Sequence, residues 1–141
     1  MSLLATAAGA YGWMSGTRRE WWTVTETEKL IDDSADGRFE LWRDGELCGW
    51  LYYTRLKPNR YALQHTEVDA GHQRQGVGGA MVRRVLDEVR TRDGTITAIC
   101  PFVADFLSRT TTYADLIDPR HPGYRDRASA EAARGKAARQ A

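Results

Sequence analysis

From Leu63 the chain reads Leu63-Gln64-His65-Thr66-Glu67-Val68, then a polar loop from Asp69 to Gln75, then Gly76-Val77-Gly78-Gly79-Ala80. Glycines at the beginning of a helix let backbone N–H groups approach an anion closely, and the helix dipole adds to their attraction for phosphate oxygens. A P-loop needs Lys-Ser or Lys-Thr after its last glycine, where this chain has Ala80-Met81. A dinucleotide fingerprint needs a third glycine at position 81, which is Met. Both nucleotide readings weaken, and a plain glycine turn capping a helix is the competing one. His65 and Glu67, two apart on a strand, project to one face. An imidazole beside a carboxylate suits proton removal, and the same spacing also describes polar residues on a solvated sheet face. Cys100 stands directly before Pro101, as either a reactive thiol or a small buried hydrophobe.

These groups need a scaffold. Trp21 to Ile31 is rich in aromatic and β-branched residues and predicts a first strand. Asp33-Ser34-Ala35-Asp36-Gly37 predicts a turn, Arg38 to Trp42 a strand with Phe39 and Leu41 on one face, and Asp44-Gly45 a hairpin reversal. Leu47 to Thr54 is the return strand, Lys57 to Arg60 a turn, and Tyr61 to Val68 the next strand of an antiparallel meander. Met81, Val82, Val85, Leu86 and Val89 have helical spacing, and Arg90, Arg92 and Asp93-Gly94 close that helix. Thr95 to Cys100 predicts a buried strand ended by Pro101, and Phe102, Val103, Phe106 and Leu107 a shorter helix.

The composition sets outer limits. With 141 residues, 42% hydrophobic and 28% charged, the chain is expected to fold around one core. The formal charge of +1 calls for neither nucleic acid nor an anionic membrane as partner. No run of about 18 to 20 apolar residues suits a membrane span. Two cysteines form no disulfide framework, and three scattered histidines have no metal-ligand spacing, so a cytoplasmic, reducing compartment and no metal are expected. The expected division is a loose leader over 1–20, a domain over 21–118 and a basic, solvated tail over 119–141.

Gln73-Arg74-Gln75-Gly76-Val77-Gly78 resembles the Gln/Arg-x-x-Gly-x-Gly/Ala signature of the Gcn5-related N-acetyltransferases. Arg38-Phe39-Glu40-Leu41, His65-Thr66-Glu67-Val68, Cys100-Pro101-Phe102-Val103 and Tyr113-Ala114-Asp115-Leu116 resemble the small YjdJ-type branch of that superfamily. The resemblance covers residues 30–118. It implies an α+β fold, with a mixed, mainly antiparallel sheet splayed at the acetyl-CoA site and flanked by helices. It implies acetyl-CoA as cosubstrate, an amine of a small molecule or protein as acceptor, and cofactor binding by Val68, Gln73, Arg74, Gln75, Gly76, Val77, Gly78 and Gly79. On this reading a branched side chain at Gly78 blocks the approach of phosphate. An amine must lose its proton before it attacks a thioester, and Glu67, with His65 as partner, is the base the resemblance favours. The superfamily's tyrosine in the helix after the last core strand is missing, because Phe102 to Leu107 carries no hydroxyl. Tyr113 either substitutes from the following turn or anchors the chain end, and Cys100 faces the cofactor opening as the other candidate proton donor. A module that binds acetyl-CoA or CoA without turnover is the alternative function.

Overall fold

The computed structural model describes residues 27–140. Five strands, β1 (Glu28–Asp33), β2 (Arg38–Arg43), β3 (Glu46–Lys57), β4 (Arg60–Val68) and β5 (Thr95–Ala98), form one sheet in chain order. The first four pair antiparallel, and β5 adds parallel to β4. Helix α1 (Val77–Thr91) connects β4 to β5; α2 (Pro101–Ser108) and α3 (Arg127–Gln140) follow. This is the mixed, mainly antiparallel α+β architecture that the family resemblance implied.

Local chemistry explains the turns. Asp44 and Gly45 both have positive φ, 52° and 78°, as the tight hairpin between β2 and β3 requires. The first strand runs from Glu28, later than Trp21; the earlier part of that expected strand lies outside the described residues. Phe39, Leu41, Leu51 and Leu63 from the sheet pack without exposure against Met81, Val82, Val85, Leu86 and Val89 of α1. At the end of α1, Asp93 takes the left-handed conformation (φ 56°), its amide bonds Arg90 O, and the Gly94 amide bonds Val89 O. Those are the paired bonds of a Schellman motif. Gly94 itself is needed for close approach, since a Cβ there would lie 2.8 Å from Asn59 O.

Two expectations change. The strand expected to reach Cys100 stops at Ala98, and Cys100 is the N-cap of α2 with Pro101 in the first helical positions, where a missing N–H costs nothing. The stretch expected as a solvated tail instead covers the outer edge of β5. Gly123 bridges to Ala98, extending the bridge that Ile117 of the expected domain makes to Ile96, and the Tyr124 amide donates to Ala98 O at 2.7 Å. Helix α3 then docks on α2 with Ala130 fully buried, and Arg134 donates to Gln64 O at 2.6 Å. It packs through Ala130 rather than a stripe of large apolar residues, so hydrophobic periodicity does not reveal it.

Candidate active site

The parallel pairing of β4 with β5 ends at Leu63 and Ala98. The Leu63 carbonyl accepts from both Ile99 N (3.0 Å) and Cys100 N (2.8 Å), after which the chain turns away into α2. Strand β4 continues to Val68 alongside β3 alone, so a gap opens between the end of β4 and the start of α2. A register shift opposite Tyr52 and Tyr53 sets which way the free end of β4 faces. After it, Thr66 pairs with the buried Leu51 on the α1 side of the sheet, while His65 and Glu67 take the opposite side.

On the α1 side, Val68, Gln73, Arg74, Gly76, Val77, Gly78, Gly79 and Phe102 line a groove of about 420 Å³. The sequence-predicted cofactor residues therefore come together, except Gln75, which does not line the groove. Arg74 and Gly76 have positive φ of 65° and 72°, the left-handed backbone from which anion-binding turns are built. Gly76 caps α1 without a side-chain hydrogen bond. The first-turn amides of Val77, Gly78 and Gly79 have no intrahelical acceptor and are free to hold an anion. Gly78 also has a packing reason to be glycine: a Cβ there would meet Phe102 Cζ at 2.8 Å, so the missing side chain lets α2 pack against α1. A larger depression of about 640 Å³ lies at the β1 edge between Lys29, Ile31, Trp42 and Asp44, and it contains none of the motif residues.

The loop is tied to the sheet by His72, whose Nδ1 lies 2.9 Å from Asp69 Oδ2 and Nε2 3.1 Å from Glu46 Oε1. The Asp69 contact, with help from Glu46, holds the His72 imidazole above its ordinary range, and the same contact, with the Gly71 amide, lowers Asp69. Sequence reasoning missed this clamp, because it depends on the hairpin bringing Glu46 next to a loop residue.

His65 Nε2 and Glu67 Oε2 are 2.8 Å apart, and each side chain is 45% exposed. The Tyr52 ring stacks on His65 with centroids 6.2 Å apart. Further along the same face, Arg38 is held by Glu40 at 2.7 Å and lies over the Trp50 ring. Cys100 is 2% exposed, and its Sγ lies 3.3 Å from Thr66 Oγ1 across the gap. Thr66 is a polar neighbour of the thiol that sequence reasoning did not single out; an alternation disturbed by the register shift conceals it. Tyr113 ties the turn after α2 to α1, its hydroxyl donating to Asp87 Oδ1 at 3.0 Å under the Arg90 guanidinium. Burial, reinforced by Asp87, pushes its phenol up. Among the described residues no group of three His, Cys, Asp or Glu side chains could hold a metal, and no helix is long and apolar enough to cross a membrane.

A family model described as GCN5-related N-acetyl-transferase matches residues 38–116, more than half of the chain. The chain belongs to the GCN5-related N-acetyltransferases. No curated protein matches it. Among solved structures, this acetyltransferase-family chain is similar to a GCN5-like putative N-acetyltransferase from Staphylococcus aureus, with 19% identity, 70% of this chain and 98% of that one covered, and a TM-score of 0.47. It is also similar to the ribosomal-protein-S18-alanine N-acetyltransferase from Escherichia coli (20% identity, 56% and 47% covered, TM-score 0.39). A third match is a GNAT family acetyltransferase from Elizabethkingia anophelis with acetyl-CoA bound (12% identity, 58% and 49% covered, TM-score 0.38). The chain thus spans under half the length of the last two. The matched residues 38–116 run from β2 to the turn holding Tyr113 and so contain both the glycine cradle and the parted end of β4.

Proposed function

We propose that this family member is an acetyl-CoA-dependent N-acetyltransferase of the small YjdJ-type branch, working in the cytoplasm on an amine of a small molecule or protein. The observation that carries the reading is the glycine cradle at the start of α1 opening beside a strand whose pairing stops, with a bonded His65–Glu67 pair on that strand. The residues present fit the cofactor, since uncapped first-turn amides and left-handed backbone at Arg74 and Gly76 suit a pyrophosphate.

Bound acetyl-CoA supplies the thioester. The amides of Gly76 to Gly79 hold its pyrophosphate, and Val68 and Phe102 flank the path from the cradle to the gap. Glu67, with His65, takes the proton from the acceptor ammonium. The freed amine forms the new C–N bond at the carbonyl carbon as the C–S bond breaks, the nitrogen then gives up its second proton to solvent to leave the amide, and free β4 amides polarise the carbonyl oxygen. Cys100 gives its thiol proton to the departing thiolate and is reprotonated from solvent, with no acetyl-cysteine formed. The test is thioester loss from acetyl-CoA across a panel of amines. Amine-dependent loss without an acetylated enzyme supports the reading. Binding of acetyl-CoA with no turnover across the panel supports a non-catalytic binding module instead. Stoichiometric acetylation of Cys100 when amine is withheld supports a covalent route.

A further inference from the structure

The seam between α1 and α2 leaves the cradle in steps of about one helical turn. Gly78 lies against the Phe102 ring, Arg83 sets its guanidinium over the Phe106 ring at 5.7 Å, and Asp87 accepts from the Tyr113 hydroxyl. At the second step the seam opens into a groove of about 370 Å³ lined by Arg83, Phe106, Arg109, Thr110, Thr112 and Tyr113. Two observations tie this groove to the cradle. Arg83 reaches back towards it, with Nη2 lying 3.8 Å from where a Cβ on Gly79 would be. Arg83 also has no carboxylate within salt-bridge distance among the described residues. Its neighbours do: Arg84 holds Glu28, Arg90 holds Asp115, Arg92 holds Asp32 and Glu88, and Arg109 holds Asp105. A guanidinium lying on an aromatic ring, without a counter-ion, at the rim of an anion cradle is placed to receive a second anion.

The chemistry of CoA names that anion, on the reading proposed above. Two arms leave its pyrophosphate: pantetheine, which ends in the thiol, and adenosine, which bears a 3′-phosphate. With the pyrophosphate on the cradle and the thiol arm directed along Val68 towards Cys100, the adenosine arm is left the opposite course, along the α1–α2 seam. We infer that the groove at Arg83 is the site of the adenosine 3′-phosphate and that Arg83 binds it. The Phe106 ring holds the guanidinium in place, and the Thr110 and Thr112 hydroxyls stand at the rim as further polar groups. The chain therefore distinguishes CoA from 3′-dephospho-CoA.

Calorimetric titration with CoA and with 3′-dephospho-CoA tests this without any acceptor. The unaltered protein is expected to bind CoA about tenfold more tightly than the dephospho form, the worth of one charge-assisted contact. Arg83→Ala is expected to bring the two affinities together by weakening CoA alone; Arg83 is exposed, so the fold is not at stake. Arg83→Lys should keep part of the preference, and Arg84→Ala, whose side chain points to Glu28, should keep all of it. Equal affinities in the unaltered protein, or a preference that survives in Arg83→Ala, overturn the inference while leaving the proposed function standing. Failure of both ligands to bind the unaltered protein overturns both.

Discussion

The cradle lies on the α1 side of the sheet and the His65–Glu67 pair on the opposite side of the parted end of β4, and the two regions are made of different atoms. On the proposed function the working groups at the cradle are backbone amides, and the requirements fall on φ values and on space: left-handed Arg74 and Gly76, and no side chain at Gly78 where Phe102 packs. On the same proposal the working groups at the end of β4 are the side chains of His65, Glu67 and Cys100, and the requirement falls on register. Changes at the first region should therefore alter binding or packing, and changes at the second should alter the rate. Substitutions around both can break or sharpen that division.

The largest expected effect lies just outside both regions. Gly123 has a φ of 80°, and a Cβ on it would overlap the Ala98 backbone. Gly123→Ala should cost about 3 kcal/mol or more in urea unfolding, from left-handed strain and overpacking together. Because α3 reaches Gln64 of β4 through Arg134, the folded fraction should lose turnover before it loses cofactor affinity. A loss below about 1 kcal/mol would mean that the C-terminal segment is not part of the core, on the scale of ordinary surface changes.

Next comes Gly78→Val, with an expected loss of about 2 kcal/mol as Phe102 is displaced. Gly79→Ala, whose added Cβ meets nothing nearer than Arg83 at 3.8 Å, should leave thermal stability unchanged. Equal melting temperatures for the two variants would remove the packing role given to Gly78. Cys100→Ala should slow kcat by about tenfold, the worth of a modest acid contribution, with KM for acetyl-CoA unaltered. A change confined to KM would move Cys100 from the rate-setting region to the binding one.

The smallest effect is a pH dependence at the clamp of Asp69, His72 and Glu46. His72 is raised above its ordinary 6.5 in the fold, so its contribution is complete below 6.5 and is lost as pH rises through the raised value. Asp69 is lowered below its ordinary 3.8, so its contribution is present above 3.8 and is lost as pH falls through the lowered value. Hydrogen-exchange protection around Gln73 to Gly76 should accordingly be greatest between those ordinary values and should decline as pH rises through the raised His72 value. His72→Gln should flatten the alkaline decline; an unchanged decline would assign it to another group.

The sequence makes the backbone-built region far more legible than the side-chain-built one. Glycine spacing, the Asp44-Gly45 reversal and the helical pattern of Met81 to Val89 are local signals, and each appears in the fold where spacing places it. The pairing of Thr66 with Cys100 joins positions 34 residues apart and depends on a register shift and on where β5 stops, which no local pattern records. Helix α3 escapes notice for another reason: it docks through Ala130 and an arginine bonded to a carbonyl, so its contacts resemble the composition of a solvated segment. Gly78 shows the opposite limit. Its position was legible, but its packing against Phe102 was not, because Phe102 comes from a different element.

The division of labour is tested most directly by measuring acetyl-CoA affinity and amine-dependent thioester cleavage side by side in Gly76→Val and Glu67→Gln. Gly76 is left-handed with open space around its missing Cβ, so valine there adds backbone strain without a clash. The account predicts crossed losses. Gly76→Val should bind acetyl-CoA about tenfold more weakly and retain its turnover at saturating cofactor, whereas Glu67→Gln should bind like the unaltered protein and turn over about a hundredfold more slowly. Loss of the same quantity in both variants, or full turnover in Glu67→Gln, would contradict it.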